Sequence, residues 1–332
     1  MHGYIKQVIS LTEQRIPQLR DVFAARNVVG RYLKPTPLIY SRRLSKLLEC
    51  HAYLKLENLQ PTRAFKVRGG INYMHKMRDH ATGHIAITAS TGNHAQSIAY
   101  AGSVFGVEVK IVMPHGVPKL KTEAIRQLGA EVITYGNYYE EARQYADKLA
   151  SEKGYLYVDA VNEPLLYEGV GTMHLEIIEE QPDVDVVINP IGGGSGASSA
   201  CIVYKALDPR IKIIGVQAEG APAFYQSWKK GTIVSTNGIS TAAEGLATAR
   251  AYELPLRILT PRIDDIILVS DDEMRHAVRT ILDTTGQVAE LSGAASTAGA
   301  FKIKRDLEGK KVALLLTGGN IEPEQLVAIL QE

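Results

Sequence analysis

From His84 onward the chain repeats one rhythm: a short apolar run, a glycine or proline, a helical stripe, then another glycine. HIAIT (84–88) has the unbroken apolar character of a strand covered on both faces, and Ala95, Ile98, Gly102 and Phe105 follow it at helical spacing. VKIVMP (109–114) reads as the next strand. Leu120, Ala124 and Leu128 then recur at a spacing of four, with Gly129 just past the helix end. AEVITYG (130–136) is a third strand, followed by a helix through Ala142, Tyr145, Ala146 and Leu149 that stops before Gly154. YLYVDA (155–160), DVVIN (185–189), IKIIGVQAE (211–219) and KVALLLTGGN (311–320) continue the series. Strands alternating with helices of about ten to fifteen residues point to an α/β fold of parallel sheets with helices on both faces. Ligands of such sheets bind beyond the carboxyl ends of the strands, so the loops there are where chemistry is expected.

The 332 residues suffice for about two domains of ordinary size. Lysine plus arginine, 37, nearly cancels aspartate plus glutamate, 36, without any basic block, so no nucleic-acid partner is expected. The N-terminal stretch MHGYIKQVISLTEQRI has no uninterrupted apolar centre and does not read as a signal peptide. No run approaches the ~18 apolar residues of a membrane span. Cys50 and Cys201 stand far apart in no metal-ligand pattern, so neither a disulfide framework nor a cysteine metal site is expected. The expectation is a cytoplasmic protein that meets no membrane.

Glycine-rich turns follow several of the strands. In TASTGNHAQS (88–97) a strand ends and a tight turn opens a helix, so hydroxyls and free amides converge at a positive helix end that suits a carboxylate or phosphate. Ser90 or Thr91 equally suits an ordinary N-cap. In PIGGGSGASS (190–199) the lack of side-chain bulk lets several backbone amides close around one dianion. No lysine follows as a nucleoside-triphosphate loop requires, but Gly192, Gly194 and Ala197 satisfy G-x-G-x-x-A, and Glu219 lies at about the distance of a ribose-binding acid. In LLLTGGNIEPEQ, Thr317 ends an apolar strand, and Gly318 and Gly319 keep the next turn open.

One further stretch, LQPTRAFKVRGG (59–70), presses Lys66 between Phe65 and Val67 just before two glycines. A lysine desolvated against a ring has its charged form disfavoured, which frees the amine for imine chemistry. A phosphorylated aldehyde needs a nest for its phosphate, an amine for its carbonyl and a partner for its ring nitrogen. Pyridoxal 5'-phosphate is such a ligand.

LENLQPTRAFKVRGG, ASTGNHAQSIAYA, PIGGGSG and LLLTGGN stand in the order and spacing of fold-type II pyridoxal-phosphate enzymes. The chain most resembles their threonine/serine dehydratase (ammonia-lyase) and serine racemase branch, from about Val28 to Asn320. The resemblance implies two open, mostly parallel twisted sheets flanked by helices, as in the tryptophan synthase beta subunit. It implies a large cofactor-binding domain of residues 1–84 and 159–332 and a small mobile substrate-binding domain of residues 85–158. Lys66 matches the lysine that forms the internal Schiff base, and Phe65 the residue packed on the cofactor ring. Asn93 matches the partner of the phenolic oxygen, and Gly192, Gly193, Gly194, Ser195 and Gly196 match the phosphate cradle. Thr317 falls where relatives place a hydroxyl against the pyridine nitrogen. Ser90, Thr91, Gly92 and His94 lie in the loop that holds the substrate carboxylate. The implied activity is elimination of water from a small β-hydroxy amino acid, L-threonine or L-serine first, giving a 2-oxo acid and ammonia, in a homodimer.

The chain also departs from the pattern. Thr91 stands where serine racemases place a serine base, so racemisation is expected to be minor. Arg63 replaces a small residue and is expected to face solvent, and Ser195 replaces a glycine of the cradle. Gln217 and Ala223 fall where relatives hold a divalent cation between acids, so no metal is expected. The chain ends twelve residues beyond Asn320, which suits a catabolic or specialised dehydratase without an appended regulatory domain. Glu290 reads as a helix-end acid rather than a cofactor neighbour, His94 equally as a structural histidine, and Tyr138, Tyr139 and Tyr145 as packing. Other readings are a serine or amino-acid racemase, a β-replacement synthase, a β-hydroxyaspartate or phenylserine dehydratase, a non-enzymatic binding protein, and an NAD-dependent oxidoreductase. The last leaves Lys66 and the Thr317 turn unexplained.

Overall fold

The computed structural model describes residues 15–332, so all but the last two residues of the N-terminal stretch weighed as a signal peptide lie outside the described residues. Among the described residues ten strands form two sheets: β1 (Leu38–Tyr40), β2 (His51–Leu56), β3 (Ile85–Ala89), β4 (Glu108–Met113), β5 (Glu131–Thr134), β6 (Leu156–Tyr157), β7 (Val186–Pro190), β8 (Lys212–Ala218), β9 (Asp265–Val269) and β10 (Lys311–Leu316). The six-stranded sheet runs β1-β2-β10-β7-β8-β9, and the four-stranded sheet runs β5-β4-β3-β6. Only β1 is antiparallel to its neighbour. This is the α/β architecture expected.

The apolar runs are unbroken because both faces of the strands are covered. Along β10, Val312, Leu314 and Leu316 join one buried cluster, while Ala313 and Leu315 join the other. YLYVDA pairs through only two residues, Leu156 and Tyr157, at the edge of the smaller sheet. Among the described residues no helix is long and apolar enough to cross a membrane.

The lysine segment is anchored from below. The Lys66–Met77 helix packs against the Pro164–Glu180 helix so closely that a Cβ on Gly169 would lie 2.3 Å from the Arg68 carbonyl oxygen. Arg68, fully buried, forks onto Glu57 (Nε to Oε2, 2.8 Å) and Glu176 (Nη1 to Oε1, 2.6 Å). Lys55 Nζ reaches Glu176 at 2.7 Å and the Thr36 carbonyl at 2.5 Å. Burial pushes the Glu57 carboxyl up, but the charge and hydrogen bonds of Arg68 outweigh it and hold the group below its usual value. This cluster ties β2, the lysine helix and the Pro164–Glu180 helix into one unit, so Lys66 starts from a rigid base.

Candidate active site

A cavity of about 1460 Å³ opens at the carboxyl ends of the strands, and every residue that the resemblance matched to the cofactor and substrate sites lines it: Phe65, Lys66, Ser90, Thr91, Gly92, Asn93, His94, Gly192, Gly193, Gly194, Ser195, Gly196 and Thr317. Lys66 is the first residue of its helix and only partly exposed. Its Nζ lies 5.3 Å from the Phe65 ring centroid and 2.8 Å from Ser195 Oγ. Burial pulls its pKa down to about 8. Ser97 Oγ donates to the Lys66 carbonyl at 2.6 Å, so the neighbouring helix, Asn93–Phe105, fixes the lysine backbone as well.

The Thr317 turn is joined to the lysine loop by main-chain bonds. Phe65 N–H donates to the Thr317 carbonyl at 3.0 Å, and Gly319 N–H to the Arg63 carbonyl at 2.9 Å. Arg63 holds a left-handed φ of 55° to make that approach, and its side chain is exposed at the cavity rim. Asn320 Nδ2 donates to the Thr62 carbonyl (2.9 Å) and to Asn93 Oδ1 (2.7 Å), and Asn93 Nδ2 donates to Glu290 Oε1 (2.8 Å). Three loops distant in sequence thus meet at one asparagine.

Glu290 precedes the Leu291–Lys302 helix as the sequence suggested, yet it also lines the cavity, which the sequence reading discounted. Burial raises its pKa, opposed by hydrogen bonds from Ser292 and Asn93. His94 Nε2 lies 3.1 Å from Thr88 Oγ1, whose own proton goes to the Val158 carbonyl at 2.7 Å, so Nε2 carries the imidazole hydrogen. Burial drops that imidazole to about 3, so it is neutral. Ser90 Oγ accepts from the amides of Gly92 (3.3 Å) and Ala95 (3.2 Å), so it serves the first turn of the helix, but the N-cap position itself falls to Gly92 rather than to Ser90 or Thr91.

The glycine loop leaves no room for side chains of its own. A Cβ on Gly192 would sit 2.0 Å from the Gly245 carbonyl oxygen, and Gly194 adopts φ 90°. The Ser195–Leu207 helix begins there, so its first amides have no intrahelical acceptors, and its first residue, Ser195, accepts at Oγ from Lys66 Nζ. The residues present therefore fit a phosphorylated aldehyde. They do not suit a dinucleotide: Glu219 pairs with Lys302 at 3.1 Å and is not among the cavity residues. Gln217 Oε1 accepts from the Tyr225 amide at 2.8 Å.

The tyrosines divide. Tyr145 stacks on Tyr135 with centroids 3.9 Å apart, which is packing, whereas Tyr138 and Tyr139 line the cavity and correct the packing expectation. Nothing in their spacing signalled this, because which face of the Tyr139–Lys153 helix meets the cleft is set by sheet placement.

Residues 29–318 match the family described as pyridoxal-phosphate dependent enzyme. The chain is 35% identical over 314 residues to the L-threonine ammonia-lyase of Thermotoga maritima, spanning 95% of this chain and 78% of that protein. It is 34% identical to the L-threo-3-hydroxyaspartate ammonia-lyase of Saccharomyces cerevisiae, over 95% of this chain and 97% of that protein. Maize serine racemase superposes with a TM-score of 0.90 at 27% identity, over 96% of this chain and 98% of that one. On the extent of that match, the chain belongs to the pyridoxal-phosphate dependent enzyme family.

Proposed function

We infer that this protein is an ammonia-lyase that uses pyridoxal phosphate to convert a small β-hydroxy amino acid, L-threonine or L-serine first, to a 2-oxo acid and ammonia. The observation that carries this is the Lys66 amine, desolvated and 2.8 Å from Ser195 of the glycine cradle. Bound there, the cofactor supplies a conjugated ring that accepts the electron pair left when the substrate's Cα–H bond breaks.

Lys66 would hold the cofactor through Nζ, and as a free amine it is the group on this chain that would take the substrate's Cα proton onto that same nitrogen. Its lowered pKa keeps a usable share of the amine neutral at pH 7. The amides of Gly192 to Gly196 bind the phosphate, with the helix N-terminus adding positive potential. Asn93 takes the phenolic oxygen, its carboxamide fixed from both ends by Asn320 and Glu290. Thr317 offers the ring nitrogen a neutral hydroxyl, so no protein charge holds a proton there, which suits prompt loss of a β-leaving group. Ser90, Thr91 and Gly92 receive the substrate carboxylate, and neutral His94 stiffens that loop through Thr88.

The purified protein should be yellow, lose that colour in Lys66→Ala, and release 2-oxobutanoate from L-threonine. A colourless protein that takes up no added cofactor defeats the reading. Thr91, which lines the cavity and carries a hydroxyl, supports a minor racemase activity, and products from L-serine separate the two: pyruvate for elimination, D-serine for racemisation. A panel including hydroxyaspartate and phenylserine sets the side chain accepted. Residues 85–158 are proposed to move as the substrate domain; that they carry a sheet of their own, β5-β4-β3-β6, supports that division. A homodimer and a cytoplasmic location complete the proposal. Cys50 and Cys201, both buried and unpaired, support a reducing compartment, and sedimentation of the pure protein tests the dimer.

A further inference from the structure

Behind the glycine cradle, outside the residues that line the cavity, lies a histidine that the proposed chemistry does not use. His174, on the Pro164–Glu180 helix, is fully buried. Its Nε2 stands 3.2 Å from the Gly196 carbonyl oxygen, and its Nδ1 stands 3.4 Å from the hydroxyl of Tyr204, which is also fully buried. The two rings meet edge-on at 5.3 Å. Burial drops the imidazole to about 3, so it is neutral and carries one N–H.

The neighbours decide where that hydrogen sits. A carbonyl can only accept, so Nε2 donates to Gly196, and Nδ1 then accepts from the Tyr204 O–H. Asn189 Nδ2 also lies near His174 Nε2, at 3.4 Å, but the Gly196 carbonyl at 3.2 Å is the nearer partner and the one that takes the hydrogen. Gly196 has no slack on that side: a Cβ there would stand 2.7 Å from Asn189 Oδ1.

We propose that His174, held at Nδ1 by the Tyr204 hydroxyl, is a positioning residue for the cofactor phosphate, acting through the Gly196 carbonyl. The proposal rests on the reading of residues 192–196 as the phosphate cradle. The Gly196 carbonyl belongs to the same peptide unit as the Ala197 amide, in the first turn of the Ser195–Leu207 helix. A hydrogen bond donated to the carbonyl fixes the plane of that unit and polarises it, leaving the amide hydrogen more positive. The effect lands among the orphan donors that face an anion at a helix start. A charged residue could do this more strongly, but it would need desolvation that a neutral imidazole avoids.

The test compares pyridoxal phosphate with pyridoxal, which offers Lys66 the same aldehyde and lacks the phosphate. Both are titrated into the full-length protein after cofactor removal, for wild type, His174→Phe, His174→Gln and Tyr204→Phe. His174→Phe keeps the ring and loses the donor, so affinity for pyridoxal phosphate should fall about tenfold, the worth of one hydrogen bond, with pyridoxal unchanged. Gln places an N–H near the lost Nε2 and should restore most of the affinity. Tyr204→Phe removes the hydrogen bond to Nδ1, loosens the imidazole and should weaken pyridoxal phosphate by a smaller factor, again sparing pyridoxal. Equal losses for both ligands, or no loss for either, overturn the proposal and leave His174 as core packing. If His174→Phe does not fold, an unchanged ratio of the two affinities in Tyr204→Phe overturns it as well. A wild-type protein that binds no pyridoxal phosphate sinks the underlying functional reading instead.

Discussion

Replacing Lys66 with methionine removes the amine while keeping an unbranched apolar stem, and the structure sets what that should do to stability. The amine titrates at about 8 where an ordinary lysine titrates at 10.5, because burial disfavours its charge. At pH 7 the neutral share is then 1/(1 + 10^(8−7)), about a tenth, against 1/(1 + 10^(10.5−7)), about one in three thousand, for a free lysine: a gain of about 300-fold. The same shift appears in folding with a definite sign. Below pH 8 the lysine is protonated folded and unfolded, and the burial cost is constant. Between 8 and 10.5 the unfolded lysine keeps a proton that the folded one has released, so stability rises with pH. The rise has a ceiling of 2.5 × 1.36, about 3 kcal/mol. Urea unfolding of cofactor-free wild type and Lys66→Met across that window measures it, because other titrating groups cancel in the difference. The advantage of the methionine variant should shrink by up to about 3 kcal/mol between pH 8 and 10.5. Two curves that stay parallel would refute the claim that Lys66 is desolvated.

Three further outcomes follow from named contacts. Gly192→Ala drives a Cβ to 2.0 Å from a backbone oxygen, so the loop must shift, and cofactor affinity measured by titration should fall by up to about a hundredfold. Arg68→Leu strands Glu57 without its main counter-charge and should cost about 3–5 kcal/mol in urea unfolding; a loss under about 1 kcal/mol would show the cluster to be dispensable. Thr91→Ser removes a methyl from the cavity wall while keeping the hydroxyl, and chiral chromatography should find a larger share of D-serine formed from L-serine.

Much of the fold was readable because parallel strands buried on both faces leave unbroken apolar runs such as VVIN and VALLL, and because glycines end the helices between them. The site was readable for a related reason: its parts are short local turns at strand ends. What the sequence concealed is long-range. Glu290 could be read as a helix-end acid, but its bond to Asn93 crosses 197 positions and has no local spacing. Arg68 stood in plain view two residues after the lysine, yet its partners Glu57 and Glu176 come from separate elements. Tyr138 and Tyr139 carry the apolar look of packing residues, and only the placement of the smaller sheet turns them toward the cleft. His174 gave no signal, since a buried histidine on an apolar helix has no pattern of its own.

The most direct measurement is to reduce the cofactor-loaded protein with borohydride, digest it and locate the pyridoxyl phosphate label by mass spectrometry. The account predicts the label on the peptide that contains Lys66, and none in Lys66→Ala. A label on another lysine, or no label on the wild-type protein, would contradict it.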